Sequence, residues 1–417
     1  MKPMGPIPPE FAGQTVLTIG GMDAEALMAR AGGSPAFLYD FGIVAARIRR
    51  FREAFGPQIA LHYAIKANPM PALVAAIAPL VDGLDVASAG ELAIARPAMD
   101  ARHISFAGPG KRDAELELAI REGATINLES DGEATRAFAI GHRIGFTPRL
   151  AVRVNPDFEL RGSGMKMGGR ASPFGVDAAD AAALVRRIQG EGAEWRGFHI
   201  FAGSQALDSD AIIETQAATL ALAGRLADAA AASPPLVNLG GGFGIPYFIN
   251  DMPVDVERVG EALGHAMLKR PDSVADSKFA IELGRWLVGE CGVYLTRVVD
   301  RKTSQGEVFA IVDGGLHHQL AASGNFGTVV RRNYPVAVAG RMGDAAEETV
   351  SIVGCLCTPL DRLADKVGLP RAGVGDVIAV FLAGAYGRTA SPEAFLGHPP
   401  PHELLIGAED PETGDPA

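Results

Sequence analysis

Leu61-His62-Tyr63-Ala64-Ile65-Lys66-Ala67-Asn68-Pro69 is a short apolar run that ends in one lysine and then breaks at Asn-Pro. Its aromatic and β-branched residues predict a buried strand, and the Asn-Pro step predicts where that strand stops. A lysine amine at the end of a buried strand is poorly solvated, so it loses its proton readily and becomes a nucleophile toward an aldehyde. A solvated lysine that merely caps a strand gives the same pattern, and the nonapeptide alone leaves both readings open.

Seven further runs resemble this one in length and composition. Together the eight cover 59–65, 83–86, 103–106, 125–128, 149–154, 197–201, 236–239 and 279–283, with alanine-rich helical stretches between them. Eight strands alternating with helices predict an α/β protein built on a (β/α)8 TIM-like barrel; a doubly wound open sheet gives a similar pattern. Beyond Gly284 the texture changes to β-branched runs split by turns, at 293–299, 308–312, 336–339, 349–353 and 377–381. These predict a C-terminal, mainly antiparallel β domain. The expected organisation is a barrel over 36–284, a β domain from 1–35 and 285–406, and a flexible tail over 407–417 that is rich in Pro, Asp, Glu and Gly. Segments 15–19 and 36–39 are candidates for extra strands in the β domain.

The 417 residues, 48% hydrophobic and 21% charged, suffice for a large core. A net charge of −11 without any lysine-arginine block argues against nucleic acid and against an anionic membrane surface, leaving small molecules as partners. Three cysteines, Cys291, Cys355 and Cys357, make no disulfide framework and lack zinc-site spacing, which fits a reducing cytoplasm. The adjacent His317 and His318 read as surface or turn residues that face opposite ways, and no metal site is expected. Neither a signal peptide nor a run of about 18 apolar residues is read in the chain.

Two more constellations carry chemistry. Val237-Asn238-Leu239-Gly240-Gly241-Gly242-Phe243-Gly244 puts bare backbone directly after a strand, which suits either a phosphate cradle or a tight turn. It is neither a Walker motif nor a dinucleotide fingerprint. Ile281-Glu282-Leu283-Gly284-Arg285 ends another strand with a carboxylate. A buried carboxylate needs a partner, either a cationic ring nitrogen or a structural salt bridge. A barrel gathers strand ends at one face, so Lys66, the glycines and Glu282 are expected to converge there.

Lysine, glycine loop and glutamate occur in the order used by fold-type III pyridoxal phosphate enzymes. The chain resembles the group-IV amino-acid decarboxylases, which act on diaminopimelate, ornithine and arginine. The resemblance runs from about Pro35 to Leu405. It includes Tyr63-Ala64-Ile65-Lys66-Ala67-Asn68, Leu84-Asp85-Val86-Ala87-Ser88-Ala89-Gly90-Glu91-Leu92, the stretches 240–244 and 282–285, Gly354-Cys355-Leu356-Cys357-Thr358-Pro359-Leu360-Asp361, and Gly384-Ala385-Tyr386-Gly387. It implies pyridoxal 5'-phosphate as cofactor, a barrel plus a β domain, and a homodimer with shared active sites. By position, Lys66 would hold the cofactor as a Schiff base and Glu282 would keep its ring nitrogen protonated. Gly241, Gly242, Arg285 and Tyr386 would hold its phosphate, and Gly240 and Ser204 would also bind the cofactor. Asp85 and Glu91 would order the site, and Cys357 would reach in from the partner subunit as proton donor. Arg285, Cys357, Thr358, Asp361 and Tyr386 would meet the substrate.

The chain also departs from the family pattern. Thr358 stands where ornithine- and diaminopimelate-type enzymes carry an acidic residue for the distal amine, and Ala321 and Asn325 stand where the latter hold substrate. The stacking histidine of the family aligns with Phe201 in His199-Ile200-Phe201-Ala202-Gly203-Ser204-Gln205; on a strand His199 and Phe201 would share a face, so either ring could cover the cofactor. Gly162-Ser163-Gly164-Met165-Lys166-Met167-Gly168-Gly169 reads as a surface loop or as a substrate cover. These departures resemble the exosortase A-associated branch of exopolysaccharide-producing bacteria, some relatives of which act on aminoacyl groups tethered to a carrier protein. The expected activity is therefore α-decarboxylation of an L-amino acid, free or carrier-tethered, with a neutral distal group. An amino-acid racemase on the same fold would want an arginine at the ring nitrogen, and a non-catalytic pyridoxal phosphate carrier of this fold would lack the β domain.

Overall fold

The structure, a computed structural model, describes residues 1–159, 165–166, 169–324 and 332–408. Most of the segment 162–169, Asn325 and the tail from 409 lie outside these residues. The chain divides into two compact units: Arg47–Gly244 with Pro253–Gly284, and Met1–Ala46 with Ile245–Met252 and Arg285–Ala417.

Strand β1 (Ala36–Asp40) belongs to the second unit. The first unit holds β2 (Ile59–Ala64), β3 (Gly83–Val86), β4 (Ile104–Phe106), β5 (Thr125–Leu128), β6 (Arg149–Asn155), β7 (Glu194–Ile200), β8 (Leu236–Gly241) and β9 (Lys278–Leu283). Each pairs in parallel with the next, and β9 pairs with β2, so the sheet closes into an eight-stranded barrel. The doubly wound alternative is excluded by that last pairing. Alternate strand residues pack outward under the helices: Leu61, Tyr63, Leu84, Ile126, Val152, Phe198, Val237 and Ile281 are all buried. Burying each of these large side chains contributes on the order of 2 kcal/mol.

Helices start where sequence chemistry places them. Ser88 accepts a hydrogen bond from the Glu91 amide at 3.1 Å to start Ala89–Ala95, and Ser130 does the same for Glu133 at 3.1 Å to start Asp131–Ile144. Gly145, at φ 73°, ends the latter in the left-handed conformation.

Two details move site residues from their expected places. Strand β2 stops at Ala64, and Lys66 sits on a 3-10 turn, Ile65–Ala67. Strand β7 stops at Ile200, so Phe201 falls just past it and is not bound to the strand's alternation.

The second unit is built on β10 (Gly292–Ser304), β11 (Glu307–Val312), β12 (Val336–Val338), β13 (Glu348–Val353), β14 (Arg362–Leu369), β15 (Val377–Val380) and β16 (His402–Ile406). The sheet order is β12-β15-β10-β11-β13-β14, with β1 against β10 and β16 beside β1. All pairings are antiparallel except β11 with β13 and β1 with β16. Residues 36–39 thus join the β sheet, as the strand reading allowed, and the barrel boundary expected at 36 moves to Arg47, because Met1–Ala46 lies in the β unit. Thr18–Ile19 instead forms a small hairpin with Met22–Asp23. Ile245–Met252, read as barrel, belongs to this unit. The sequence reading missed β14 and β16, whose charged residues interrupt the apolar pattern.

Candidate active site

The C-terminal ends of the barrel strands carry a row of buried charge pairs. Glu282 ends β9, and its carboxylate is 6% exposed. The Lys66 ammonium lies 3.7 Å from its Oε1, and His199 Nε2 lies 3.0 Å from its Oε2. Burial by itself would raise the Glu282 pKa, but the Lys66 charge and the His199 hydrogen bond together hold it far below the usual carboxylate range. Neighbouring strands continue the row. Arg153 on β6 donates to Glu129 at 2.8 Å, and buried Lys111 donates to Glu133 at 2.8 Å.

The strand-end reading of Lys66 expected a poorly solvated amine. Its side chain is instead 46% exposed, because the chain turns away from the barrel wall immediately after β2. Its cation sits 5.6 Å from the Phe201 ring centre. His199 and Phe201 therefore do different things: His199 is buried against Glu282, and Phe201 lies toward the lysine. On the far side, Glu91 accepts the Ala87 amide at 2.6 Å, and burial raises its pKa. Asp85 faces His62, with Oδ2 3.4 Å from Nδ1. Burial would lower the His62 pKa, yet the Asp85 carboxylate outweighs it and the net shift is upward.

The glycine run is a steric requirement. Gly240 and Gly242 adopt φ 71° and 77°, and a Cβ at 240, 241 or 242 would stand 2.6, 1.9 or 2.0 Å from the carbonyl oxygens of Ile200, Glu282 and Gly203. The turn is thereby wedged between the ends of β7 and β9, next to Ser204. A turn of bare backbone beside a strand-end carboxylate and an amine has the chemistry that a phosphate, a cationic ring nitrogen and an aldehyde would need. These residues fit pyridoxal 5'-phosphate.

In the β unit, Arg285 opens a short helix, Arg285–Val288, and donates to the Tyr247 hydroxyl at 2.7 Å. Its guanidinium stacks on Tyr386, 4.5 Å from the ring centre. Tyr386 has φ 53°, a left-handed backbone that a bulky residue rarely adopts. Tyr334 packs 4.9 Å from Tyr247, completing an aromatic nest. Sequence reasoning missed Tyr247 in this role; its place five residues after Gly242 was the available signal. It also missed His62 and Arg153.

Cys357 is exposed, and Thr358 beside it is half-buried. Asp361, expected to meet substrate, is turned inward. Its carboxylate accepts the Leu316 amide at 2.7 Å and the Leu356 amide at 2.9 Å, tying two loops together. Gly315 and Gly354 leave room for it, since a Cβ at either would come within 2.5 Å of that carboxylate. His317 and His318 correct another expectation. Both are buried, with ring centres 3.7 Å apart; His318 bridges the Tyr294 hydroxyl and the Pro399 carbonyl at 3.0 and 3.1 Å.

Residues 41–289 match the family model of the pyridoxal-dependent decarboxylase pyridoxal binding domain. The chain is 38% identical to the L-glutamyl-[BtrI acyl-carrier protein] decarboxylase of Niallia circulans, over 89% of this chain and 88% of that protein. It is 31% identical to the diaminopimelate decarboxylase of Methanothermobacter thermautotrophicus, over 94% and 90%. Among solved structures, the diaminopimelate decarboxylase of Helicobacter pylori complexed with L-lysine superposes with a TM-score of 0.80 at 26% identity, covering 91% of this chain and 93% of that one. The chain belongs to the pyridoxal-dependent decarboxylase family, and its cofactor is pyridoxal 5'-phosphate.

Proposed function

We propose that this enzyme removes the α-carboxylate of an L-amino acid whose distal group is neutral and carried as a thioester on a carrier protein. The observation that carries the chemical part is the Lys66–Glu282–His199 arrangement, with 3.7 and 3.0 Å contacts to the two oxygens of one buried carboxylate. The bound cofactor supplies an electron sink for the pair left behind when CO2 departs. Lys66 is the point of covalent attachment. Glu282 stays ionised and holds a proton at the ring nitrogen, while His199 donates to its other oxygen and fixes its orientation. Phe201, whose ring centre lies 5.6 Å from the Lys66 ammonium, would cover the cofactor ring in place of the family's histidine.

Gly240, Gly241, Gly242 and Ser204, with Arg285 and Tyr386, bind the phosphate, and Arg285 also meets a substrate carboxylate. Cys357, contributed by the partner subunit of a homodimer, returns a proton to the α-carbon. Asp361 acts as a positioning residue that sets the Cys357 loop. Asp85 and Glu91 order the lysine side of the site. We place this activity in the cytoplasm; no helix among the described residues is long and apolar enough to cross a membrane.

Two observations support the substrate class. Thr358 offers no counter-charge to a distal ammonium, and the Niallia circulans relative acts on a glutamyl group held by an acyl-carrier protein. The test is CO2 release by cofactor-loaded protein from a panel of free amino acids and from aminoacyl thioesters of a carrier protein. Release from a thioester alone supports the reading. Release from free meso-diaminopimelate but no thioester would replace it, and no release from any substrate would sink it.

A further inference from the structure

Below the charged row, the barrel is hollow. A barrel of this kind normally fills its interior with layers of bulky branched side chains. Here most inward positions in the lower half of the barrel are small, namely Ala60, Gly83, Ser105, Ala151, Gly197 and Ala280, with Thr125 and Leu236 the larger exceptions. Side chains this small leave space along the axis. The result is a cavity of about 1080 Å³ that opens at the N-terminal mouth of the barrel and runs up to His62, Asn127, His199 and Asn238.

The end of this cavity is the underside of the site. His199 is 4% exposed, and its Nε2 is taken by Glu282. Its Nδ1 is buried and meets no hydrogen-bond partner among the described residues. His62 Nδ1, facing Asp85 at 3.4 Å, also lacks a well-formed hydrogen bond. Both side chains line the cavity although their Nδ1 atoms are themselves covered, and since burying such a nitrogen dry costs on the order of 1–3 kcal/mol, a small ring movement that admits a water from the cavity is favoured. A charged ligand fits less well, because several charges at the mouth are already paired. Asp82 is bound by Arg52 at 2.6 Å, Asp100 by Arg102 at 3.3 Å, and Arg196 by Glu194 at 2.9 Å.

We propose that the N-terminal mouth of the barrel is a solvent entrance. Water standing in it lies against the His199 and His62 side chains, and ring motion that admits it to Nδ1 lets the His199–Glu282 pair exchange protons with bulk solvent from below while cofactor and substrate cover it from above. A bulky carrier-bound substrate makes such a rear route useful, because it closes the front to solvent. This last link rests on the function proposed above; the entrance itself does not.

The test uses cofactor-loaded protein carrying Ala60→Cys, with Cys355→Ser and Cys357→Ser to remove the accessible native thiols. Cys291 is fully buried and serves as the internal reference. A small cationic methanethiosulfonate is expected to label the new thiol as fast with cofactor as without it and to leave Cys291 unmodified, read by mass spectrometry. Hydrogen-deuterium exchange at the imidazole carbon of His199 is then compared before and after that label plugs the cavity, and about a tenfold slowing is expected. Absence of labelling, or exchange at His199 that the plug does not change, overturns the proposal. Neither readout requires turnover, and CO2 release is measured separately on the parent enzyme with Cys357 intact: labelling and exchange as expected, beside a parent enzyme that releases no CO2, would sink the proposed function and leave the entrance standing.

Discussion

Glu282 in the barrel unit and His317 in the β unit are both withdrawn from solvent, and their surroundings treat charge in opposite ways. Around Glu282 a cation and an imidazole donor outweigh burial and favour the ionised form. Glu129 is likewise lowered, burial being outweighed by Arg153. In the β unit the same desolvation meets little opposition. It pushes His317 and His318 down to about 4, Cys355 up to about 11 and Asp361 upward, in each case toward the neutral form. The difference lies in the partners: the buried carboxylates Glu282 and Glu129 of the barrel are met by cations, whereas His317, His318, Cys355 and Asp361 of the β unit are met mainly by neutral polar groups that fix loops.

The strongest test of the barrel side is Lys66→Ala, which removes both the attachment point and the cation that faces Glu282. Decarboxylation is expected to fall by about 10³-fold or more, and the absorbance band of the bound cofactor should be lost with it. Residual activity close to that of the parent enzyme would show that the charged row is structural. Next comes Glu282→Gln, which keeps the shape and deletes the charge. A loss of about 10²- to 10³-fold in kcat is expected, with cofactor binding weakened far less. His199→Phe should cost about 10- to 100-fold. It also removes a hydrogen bond that lowers the Glu282 pKa, so the acid limb of the rate profile should move to higher pH; an unmoved limb would mean that His199 does not act through Glu282.

These contrasts also show what a sequence can disclose. All eight barrel strands were legible because each is buried on both faces and short, so apolar composition alone marks it. Strands β14 and β16 were not, since Arg362, Asp365 and Lys366 in one and His402 and Glu403 in the other break the pattern while ion pairs and neighbouring strands hold them in place. Lys66, Glu282 and the glycines were legible as residue types at strand ends. The pairing of His199 with Glu282 was not, because it joins positions 83 residues apart through the barrel's closure. Asp361 was legible through its motif, but its bonds to the Leu316 and Leu356 amides were not, for a related reason: the former joins positions 45 residues apart through the fold.

The smallest expected effect separates the β unit most cleanly. The histidines 317 and 318 titrate near 4 in the folded chain against about 6.5 when unfolded. The unfolded chain therefore takes up protons first, and stability should fall as pH drops from about 6.5 toward 4, with no further contribution from this pair below that or above 6.5. One such histidine accounts for up to roughly 3 kcal/mol across that window. His317 has no hydrogen-bond partner on either ring nitrogen among the described residues, so His317→Leu removes a buried polar ring and adds no unsatisfied one. Denaturant midpoints should show the variant within about 1 kcal/mol of the parent at pH 8 and relatively more stable at pH 5. Equal losses at both pH values would mean that the ring carries charge or a contact the fold depends on, and the contrast between the two units would then fail at its most buried histidine.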